Sequence, residues 1–372
     1  MKYMISGGGT GGHIFPAITI ADAIRRHDPE AEFLFAGAIG RMEMERVPAA
    51  GYPIVGLPVA GFSRSNMLAN FGVVIKLAKS LLKARSIVRS FAPDIAIGVG
   101  GYASGPVLKE AQRRGIATLI QEQNSYAGVT NKLLAKKADR ICVAYDGMDR
   151  FFPAEKITVT GNPLRRKVIE GAKSVTRDEA KARLGFSSGR KLLVVTGGSL
   201  GARTLNRSVA LDLDKITGAG IDVLWQTGKF YIDEYKGFAD SYPDGNVKIV
   251  AFLDHMDLVY AAADLIVARA GASTISEIQA TGATALLVPS PNVAEDHQPH
   301  NAMALASRGA AAMEPDATLP GRLGEIVTGL MADHDRLASM GAEAAKMGIV
   351  DADDRIAALA VDLAGRNRKQ LR

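Results

Sequence analysis

A glycine-rich turn near the amino terminus, SGGGTGGHIFP at 6–16, contains the first residues that could do chemistry. It follows a short apolar run and precedes an amphipathic segment, so the pattern predicts a turn between a strand and a helix. Glycines let backbone N–H groups approach an anion closely, and the positive end of the following helix favours negative charge. The turn therefore predicts a phosphate-binding loop, and His13 lies directly after its glycines.

The spacing of Gly7, Gly9 and Gly12 also fits G-x-G-x-x-G, the fingerprint of dinucleotide-binding folds. That fingerprint requires an Asp or Glu at the end of the second strand, about 20 residues on, to hold a ribose. The second apolar run, at 31–37, ends without an acid. The loop is therefore expected to bind a phosphate-like group that need not belong to NAD.

Two further glycine-rich turns follow predicted strands, GVGGYASGP at 98–106 and GGSLGA at 197–202. Each of them alone is equally compatible with an ordinary tight turn. Three such turns in one chain favour substrates with several phosphates lying between two domains. The sequence G-x-x-x-x-G-K-[ST] does not occur, which argues against a P-loop kinase or ATPase.

Polar side chains in the second half of the chain could hold a nucleotide sugar. The guanidinium of Arg165 could reach phosphate oxygens, and the carboxylate of Glu277 could accept hydrogen bonds from both hydroxyls of a ribose. His297, Gln298 and Asn301 follow a later strand and suit the hydroxyls of a sugar. Each feature also has a plainer interpretation: an exposed arginine, a glutamate that suits the helix dipole, and capping residues.

Two Asp-x-Asp pairs, Asp212/Asp214 and Asp351/Asp353, are the features closest to a divalent metal site. Neither pair is expected at a strand end that faces a cleft. Both pairs are therefore interpreted as surface carboxylates, and no metal site is predicted.

The composition bounds the class of protein and its partners. A length of 372 residues exceeds what one hydrophobic core usually serves and predicts two or three domains. A net charge of +6 indicates an anionic partner without choosing between nucleic acid, membrane and phosphorylated substrate. The single cysteine, Cys142, cannot form an internal disulfide, and no signal peptide or membrane-spanning run is apparent. A cytoplasmic location is therefore expected.

Short apolar runs alternate with helical patterns, which is the signature of parallel sheets. The predicted strands are 2–6, 32–36, 53–57, 94–99, 117–121, 141–144 and 157–160, then 191–196, 222–226, 247–251, 265–268 and 285–288. Gly-Asn-Pro at 161–163 interrupts the pattern between the two series. We therefore predict an α/β protein with two Rossmann-like domains. The first comprises 1–162 and a last helix from about 353 to 372, which could pack on either domain, and the second comprises 163–352.

The segment 67–91 has the periodicity of one long helix. The face expected to pack on the sheet comprises Val74, Leu77, Leu81, Ala84 and Val88. The remaining apolar residues lie among Lys76, Lys79 and Lys83, and they are Leu68, Phe71, Ile75 and Leu82. The helix is either a sheet-packing helix with a solvated basic face or a surface that inserts apolar side chains into an anionic membrane.

Seven sequence blocks together resemble the MurG family of bacterial N-acetylglucosaminyltransferases. In chain order they are GGGTGGHIFPA, GVGGYASGP, QEQNSYAGVTNK, VTGNPLR, VTGGSLGARTLN, RAGASTISE and DHQPHNA. The resemblance covers nearly the full length of the chain. It implies a GT-B fold, in which two Rossmann-like domains with parallel sheets face a cleft, with the donor UDP-GlcNAc on the C-terminal domain and the lipid acceptor on the N-terminal one.

The resemblance also implies an activity. It implies inverting, metal-independent transfer of GlcNAc from UDP-GlcNAc to the muramoyl 4-hydroxyl of lipid I, giving lipid II for peptidoglycan of the cell wall, with consequences for cell shape and cell division. No cofactor is implied, because UDP-GlcNAc is a substrate. The expected partners are lipid I, an anionic membrane surface contacted by helix 67–91 and other cell-wall synthesis proteins, but no nucleic acid. The expected location is peripheral, at the cytoplasmic face of the bacterial inner membrane.

Carried over by position, the resemblance assigns roles to individual residues. The donor-binding residues are Ser199 with the backbone at 197–202 and Arg165 for the diphosphate, Glu277 for the ribose, the backbone around Leu253 for uracil, and His297, Gln298 and Asn301 for GlcNAc. The acceptor-binding residues, which surround the lipid diphosphate, are Thr10, Gly11, Gly12, Tyr102 and Asn124. His13 is the leading candidate for the catalytic base and Glu122 is the second.

Two positions depart from the family pattern. Leu200 stands where Gln is common, which removes a side-chain contact, and Gln121 stands where His is common, which puts an acid–base role there in doubt. Two other functions remain open. The first is a UDP-GlcNAc 2-epimerase, which would share the two-domain architecture but would give helix 67–91 no function. The second is a non-enzymatic basic protein, which would give the sequence blocks around Glu277 and Gln298 no function.

Overall fold

The computed structural model describes residues 1–9, 11–59, 69–198, 200–242, 244–291 and 297–370, without the side chains of 69–72, 74 and 370. The chain divides into two compact units, one comprising Met1–Leu164 and Val350–Arg372 and the other Arg165–Ile349. Each unit contains one sheet in which all the paired strands are parallel. Parallel pairing requires crossover connections, which here are mostly helices that cover the sheet.

The first unit is built around a seven-stranded sheet. Its strands are β1 (Lys2–Ser6), β2 (Glu32–Ala38), β3 (Ile54–Leu57), β4 (Ile95–Gly98), β5 (Ala117–Glu122), β6 (Arg140–Val143) and β7 (Ile157–Val159). Their order in the sheet is β3-β2-β1-β4-β5-β6-β7. The helices of this unit are α1 (Gly11–His27), α2 (Glu43–Ala49), α3 (Ala69–Phe91), α4 (Ser104–Arg113), α5 (Val129–Ala135) and α15 (Ala352–Gln370).

The last helix completes the core of this first unit. On one side of the sheet, α1 and α15 pack together through buried residues that include Ile20, Ile24 and Ile356. On the other side, α3 and α4 contribute Val88 and Leu108. Because both faces are covered, the strands are almost wholly apolar, and polar side chains collect at the strand ends and in the loops beyond them.

The second unit repeats this arrangement with six strands. They are β8 (Lys191–Thr196), β9 (Ile221–Gln226), β10 (Val247–Val250), β11 (Leu265–Ala268), β12 (Ala285–Leu287) and β13 (Ala312–Met313), in the order β10-β9-β8-β11-β12-β13. The helices are α6 (Arg166–Lys173), α7 (Arg177–Arg183), α8 (Arg203–Gly218), α9 (Ile232–Tyr235), α10 (Met256–Ala262), α11 (Ala272–Thr281), α12 (His297–Ala306), α13 (Leu323–Ala332) and α14 (His334–Lys346).

All twelve strands predicted from the sequence are present, with ends that differ by at most two residues. They were recognisable because a strand that is buried on both faces is a short, nearly continuous apolar run. The strand β13, which contains two residues and pairs with β12 at the edge of the sheet, was not predicted. Two residues are too few to produce a periodic signal.

The interpretation of the two Asp-x-Asp pairs as surface carboxylates was wrong for one member of each pair. Asp212 is buried and accepts a hydrogen bond from the N–H of Gly324 at 3.1 Å. Asp353 is 1% exposed and forms an ion pair with Arg26 at 2.6 Å. Both lie on helices that another helix covers, a contact that composition does not reveal. Among the described residues, no group of three or more His, Cys, Asp or Glu side chains is arranged to hold a metal ion.

The predicted sheet-packing face of α3 was also partly wrong. Ala84 and Val88 are buried as expected, but Leu77 and Leu81 are 39% and 37% exposed. Burial of the described side chains begins at Ser80. Periodicity identifies residues that share a face, but it does not show how much of that face other elements cover. Leu68 and the side chains of Phe71 and Val74 lie outside the described residues.

Candidate active site

The first two glycine-rich turns lie side by side in the first unit. They follow β1 and β4, which are neighbours in the sheet, so both turns leave its carboxyl edge. Gly101 has φ of +81°, and a Cβ atom there would lie 2.3 Å from the carbonyl oxygen of Gly8. A Cβ atom on Gly7 would lie 2.2 Å from a methyl group of Val99. Glycine is therefore required for the contact between the two turns.

His13 lies in the first turn of α1, against the second glycine-rich turn. A Cβ atom on Gly100 would lie 2.9 Å from the Nε2 and Cδ2 atoms of the His13 ring. Gly11 and Gly12 open the same helix and are half-buried, and Tyr102 is 56% exposed. The fold therefore brings one turn of the predicted acceptor site against the predicted base. Thr10 lies outside the described residues.

A buried carboxylate that was not predicted from the sequence supports the first glycine-rich turn. Glu43, in the first turn of α2, is 1% exposed and accepts hydrogen bonds from the N–H of Ala38 at 2.9 Å and from that of Gly9 at 3.1 and 3.2 Å. A Cβ atom on Gly8 would lie 2.0 Å from Glu43 Oε1. An acid does therefore follow β2, five residues past its end, but its oxygens bind the loop itself. This occupancy argues against ribose binding there, in agreement with the expectation that the bound phosphate-like group need not belong to NAD.

Glu122, the second candidate base, is enclosed at the carboxyl end of β5. It is 2% exposed, and its oxygens accept hydrogen bonds from Gly128 N at 3.0 Å, Asn131 Nδ2 at 2.8 Å and Asn124 N at 3.1 Å. Burial raises the pKa of Glu122 above its ordinary value, and these N–H donors act in the opposite direction. Both oxygens are engaged, so the carboxylate orders the loop that carries Asn124. The role of Asn131 was not predicted from the sequence.

We expect Glu122→Gln to destabilise the first unit more than it impairs chemistry. The substitution places an NH2 group against neighbours that are themselves donors, which costs about 2 kcal/mol in the free energy of unfolding. Activity per folded molecule should fall far less than in a variant that lacks the base. Chemical denaturation combined with active-site titration measures the two effects separately. Undiminished stability together with abolished turnover would instead identify Glu122 as the base.

Gln121 lies in a buried hydrogen-bond network of amide groups. It is fully buried, donates to Asn162 Oδ1 at 3.0 Å and accepts a hydrogen bond from Gln123. Gln123 also donates to the carbonyl of Val99 at 2.8 Å, which ties β5 to the second glycine-rich turn. An amide does not titrate, so this position orders the site without acid–base chemistry.

The second unit brings Arg165 and Glu277 together. Arg165 donates from Nη2 and Nε to Glu277 Oε1 at 2.8 and 3.1 Å, and the hydroxyl of Tyr260 donates to Oε2 at 2.9 Å. Glu277 is 5% exposed on α11, whereas the Arg165 side chain is 40% exposed. Burial first, and then the charge of Glu277, raise the pKa of Tyr260 well above its ordinary value. The sequence had suggested separate tasks for Arg165 and Glu277 and had not indicated Tyr260.

The remaining predicted donor residues follow β10 and β12. Leu253 comes after β10 and is 9% exposed, so its backbone is the part that could contact a ligand. Gln298, in the first turn of α12, accepts from the N–H of Ser290 at 2.8 Å. Asn301 is fully buried and donates to the carbonyl of Ala270 at 3.4 Å, and His297 is half-buried. Ser199 and residues 292–296 lie outside the described residues.

Models of one protein family match both units of the chain. The glycosyltransferase family 28 N-terminal domain matches residues 3–143, and the glycosyltransferase family 28 C-terminal domain matches residues 192–356. The chain belongs to glycosyltransferase family 28. The predicted enzyme class, a glycosyltransferase, is therefore confirmed, and the alternative of a non-enzymatic basic protein was wrong.

Two bacterial relatives are similar over nearly the whole chain. A relative from Phocaeicola vulgatus is 52% identical over 371 residues, which are 100% of this chain and 98% of the relative. A relative from Parabacteroides distasonis is 51% identical over 355 residues, which are 95% of this chain and 96% of the relative. Both are named UDP-N-acetylglucosamine--N-acetylmuramyl-(pentapeptide) pyrophosphoryl-undecaprenol N-acetylglucosamine transferase.

Solved structures confirm the predicted GT-B fold class for this family 28 chain. Acinetobacter baumannii MurG superposes with a TM-score of 0.78 at 26% identity, covering 97% of this chain and 99% of that one. The UDP-GlcNAc 2-epimerase from Neisseria meningitidis has a TM-score of 0.67 at 14% identity, covering 97% of this chain and 100% of that one. Because the identity to the epimerase is only 14%, this likeness concerns the fold alone.

Proposed function

We propose that this chain is an inverting glycosyltransferase that transfers GlcNAc from UDP-GlcNAc to the muramoyl 4-hydroxyl of lipid I and so forms lipid II for peptidoglycan. The observation that carries the proposal is about 50% identity, over both units, to enzymes named for this transfer. The unit formed by 1–162 and about 353–372 binds the acceptor and the membrane. The unit formed by 163–352 binds the donor.

On the acceptor side, the two glycine-rich turns surround the lipid diphosphate and His13 acts as the base. His13 takes the proton of the attacking hydroxyl as that oxygen bonds to the anomeric carbon and the bond to UDP breaks, which inverts the configuration. The contact between His13 and the turn at Gly100 supports this role. Gly11, Gly12, Tyr102 and Asn124, together with Thr10, complete the acceptor site, and Glu122 orders its loop.

On the donor side, positive charge stabilises the departing UDP. Arg165 and the turn with Ser199 bind the diphosphate, so that this mechanism uses no metal and no cofactor. Glu277 binds the ribose, and its ion pair with Arg165 links the ribose site to the phosphate site. The backbone around Leu253 reads uracil, and His297, Gln298 and Asn301 hold GlcNAc.

The proposal is tested by incubating the enzyme with radiolabelled UDP-GlcNAc and lipid I in the presence of a chelator. The expected result is label in the lipid fraction at an undiminished rate. Failure of label to enter lipid contradicts the proposed transfer, and restoration of the rate by magnesium contradicts the metal-independent mechanism. Formation of UDP-ManNAc from the donor alone would instead identify an epimerase.

We further propose that α3 attaches the enzyme peripherally to the cytoplasmic face of the inner membrane. Ile75 and Leu82 are 46% and 68% exposed among lysines. Exposed Leu77, Leu81 and Leu133 border an apolar groove of about 650 Å³ between α3, α4 and α5. Basic residues also line this groove: Lys109, Arg113, Lys136 and Lys137. Apolar side chains surrounded by cations suit an anionic lipid surface.

Within the described residues, no helix is long and apolar enough to cross a bilayer. Other cell-wall synthesis proteins are further proposed partners.

We expect Leu82→Glu to weaken binding to vesicles containing anionic lipids by about tenfold or more, because it replaces an inserted apolar side chain by a charge. Cosedimentation measures the bound fraction. Leu211→Glu is the matched control, because Leu211 is 58% exposed on α8 of the other unit. Equal vesicle binding by both variants would remove α3 from membrane attachment.

A further inference from the structure

Gln226 lies at the carboxyl end of β9, between the segments that follow two other strands. Its side chain is buried, and Nε2 donates to the carbonyl of Gly198 at 2.9 Å and to that of Ala251 at 3.3 Å. Its Oε1 accepts a hydrogen bond from the hydroxyl of Thr196. The Thr196 oxygen in turn accepts from the N–H of Gly198 at 3.3 Å. One amide group therefore connects two separate loops.

These two loops have different tasks in the proposed function. Gly198 belongs to the turn after β8, which binds the donor diphosphate. Ala251 follows β10 and lies two residues before Leu253, whose backbone reads uracil. The carbonyl groups that Gln226 binds therefore belong to the phosphate site and the base site of a single nucleotide.

The strand end around Gln226 also supports the turn by close packing. A Cβ atom on Gly201 would lie 2.0 Å from the carbonyl oxygen of Thr227, and one on Gly228 would lie 2.2 Å from the N–H nitrogen of Gly201. The turn after β8 thus rests directly on the residues that follow Gln226. Close packing sets the distance between the turn and the residues that follow β9. The hydrogen bonds of Gln226 set the position of the turn along β9.

We propose that Gln226 is a positioning residue that holds the diphosphate turn at a set distance from the base-reading segment and so selects a nucleoside diphosphate over a monophosphate. This inference rests on the proposed function. Gln226 is only 2% exposed, so it acts through the two carbonyl groups and not by touching the substrate. Without it, the two loops lose the hydrogen bonds that join them, and the turn keeps its packing on β9 but not its distance from the base-reading segment, so the contacts to the second phosphate weaken most.

The test compares the affinities of UDP and UMP by calorimetry. The wild-type enzyme should bind UDP more tightly than UMP. Gln226→Leu should lower the ratio of these affinities by about tenfold, as expected for the loss of two buried hydrogen bonds. Gln226→Glu, which retains an acceptor but lacks the NH2 donor, should show the same loss. The KM for UDP-GlcNAc should rise in both variants while the KM for lipid I stays constant.

Asp212→Ala is the matched control, because Asp212 is buried in the same unit and accepts a hydrogen bond from Gly324 N, which belongs to neither loop. This variant should lower the Tm without changing the UDP-to-UMP ratio. Should Gln226→Leu fail to fold, Gln226→Met removes the same two donated hydrogen bonds with a side chain of similar length. An unchanged ratio in the folded variants at Gln226 overturns the positioning role. A wild-type enzyme that binds neither nucleotide overturns the proposed function and this inference together.

Discussion

Replacing His13 by alanine is expected to lower turnover by about 10²–10⁴-fold, the usual contribution of a general base, with little change in the affinity for UDP-GlcNAc. The attacking hydroxyl is a poor nucleophile until its proton is removed, and the small alanine side chain cannot accept that proton. We propose that the donor binds to the other unit of the chain, so its affinity should be preserved. Single-turnover kinetics at saturating lipid I, together with calorimetry of UDP-GlcNAc, measure the two quantities.

The chain contains a matched control on the same helix. His27 ends α1, is 38% exposed and lies 3.4 Å from Asp354, far along the helix from the glycine-rich turns. His27→Ala should leave turnover unchanged. Normal turnover in His13→Ala would remove His13 from the mechanism and direct attention to Glu122.

Replacing Glu277 by alanine is expected to weaken UDP-GlcNAc binding by about 100-fold, because charge-assisted hydrogen bonds to two ribose hydroxyls are worth about 3 kcal/mol together. The substitution also leaves Arg165 and Tyr260 without their shared carboxylate. Calorimetry of the folded variant measures the donor affinity, and a thermal melt shows how much stability is lost. Unchanged donor affinity would contradict the ribose assignment.

A modified nucleotide separates direct contact with the ribose from an effect transmitted through Arg165. Wild-type enzyme should bind 2′-deoxy-UDP more weakly than UDP, whereas Glu277→Ala should bind the two about equally. A variant that still discriminates between them would show that Glu277 acts by holding Arg165. Glu325→Ala, at an exposed position on α13 of the same unit, is the control for loss of a carboxylate and should bind both ligands as the wild type does.

Much of the fold was predictable because its signals are local. A strand covered on both faces must be apolar along its length, so runs such as 2–6 and 191–196 coincide with β1 and β8. A turn that brings its backbone against another turn must use glycine, so the glycine-rich blocks at the ends of β1, β4 and β8 were recognisable from the sequence alone.

Other features depended on contacts between distant parts of the chain. Nothing near Leu77 or Leu81 in the sequence shows that α3 extends beyond the elements that would cover it. Asp353 resembles any charged residue at the start of a helix until Arg26, more than 300 residues earlier, is found beside it. The same holds for Arg165 and Glu277, which the sequence assigned to different parts of a nucleotide and the fold joined in one ion pair.

The sequence by itself determined the family, the two parallel sheets and the positions of the glycine-rich turns, because each of these depends on the types of residues that are adjacent in the chain. Only the tertiary structure decided which polar groups support those turns and the loop after β5: Glu43 beneath Gly9, Glu122 inside the loop after β5, and Gln226 between Gly198 and Ala251. A buried polar group must find a partner, and that partner is set by the packing of strands that are remote in the sequence.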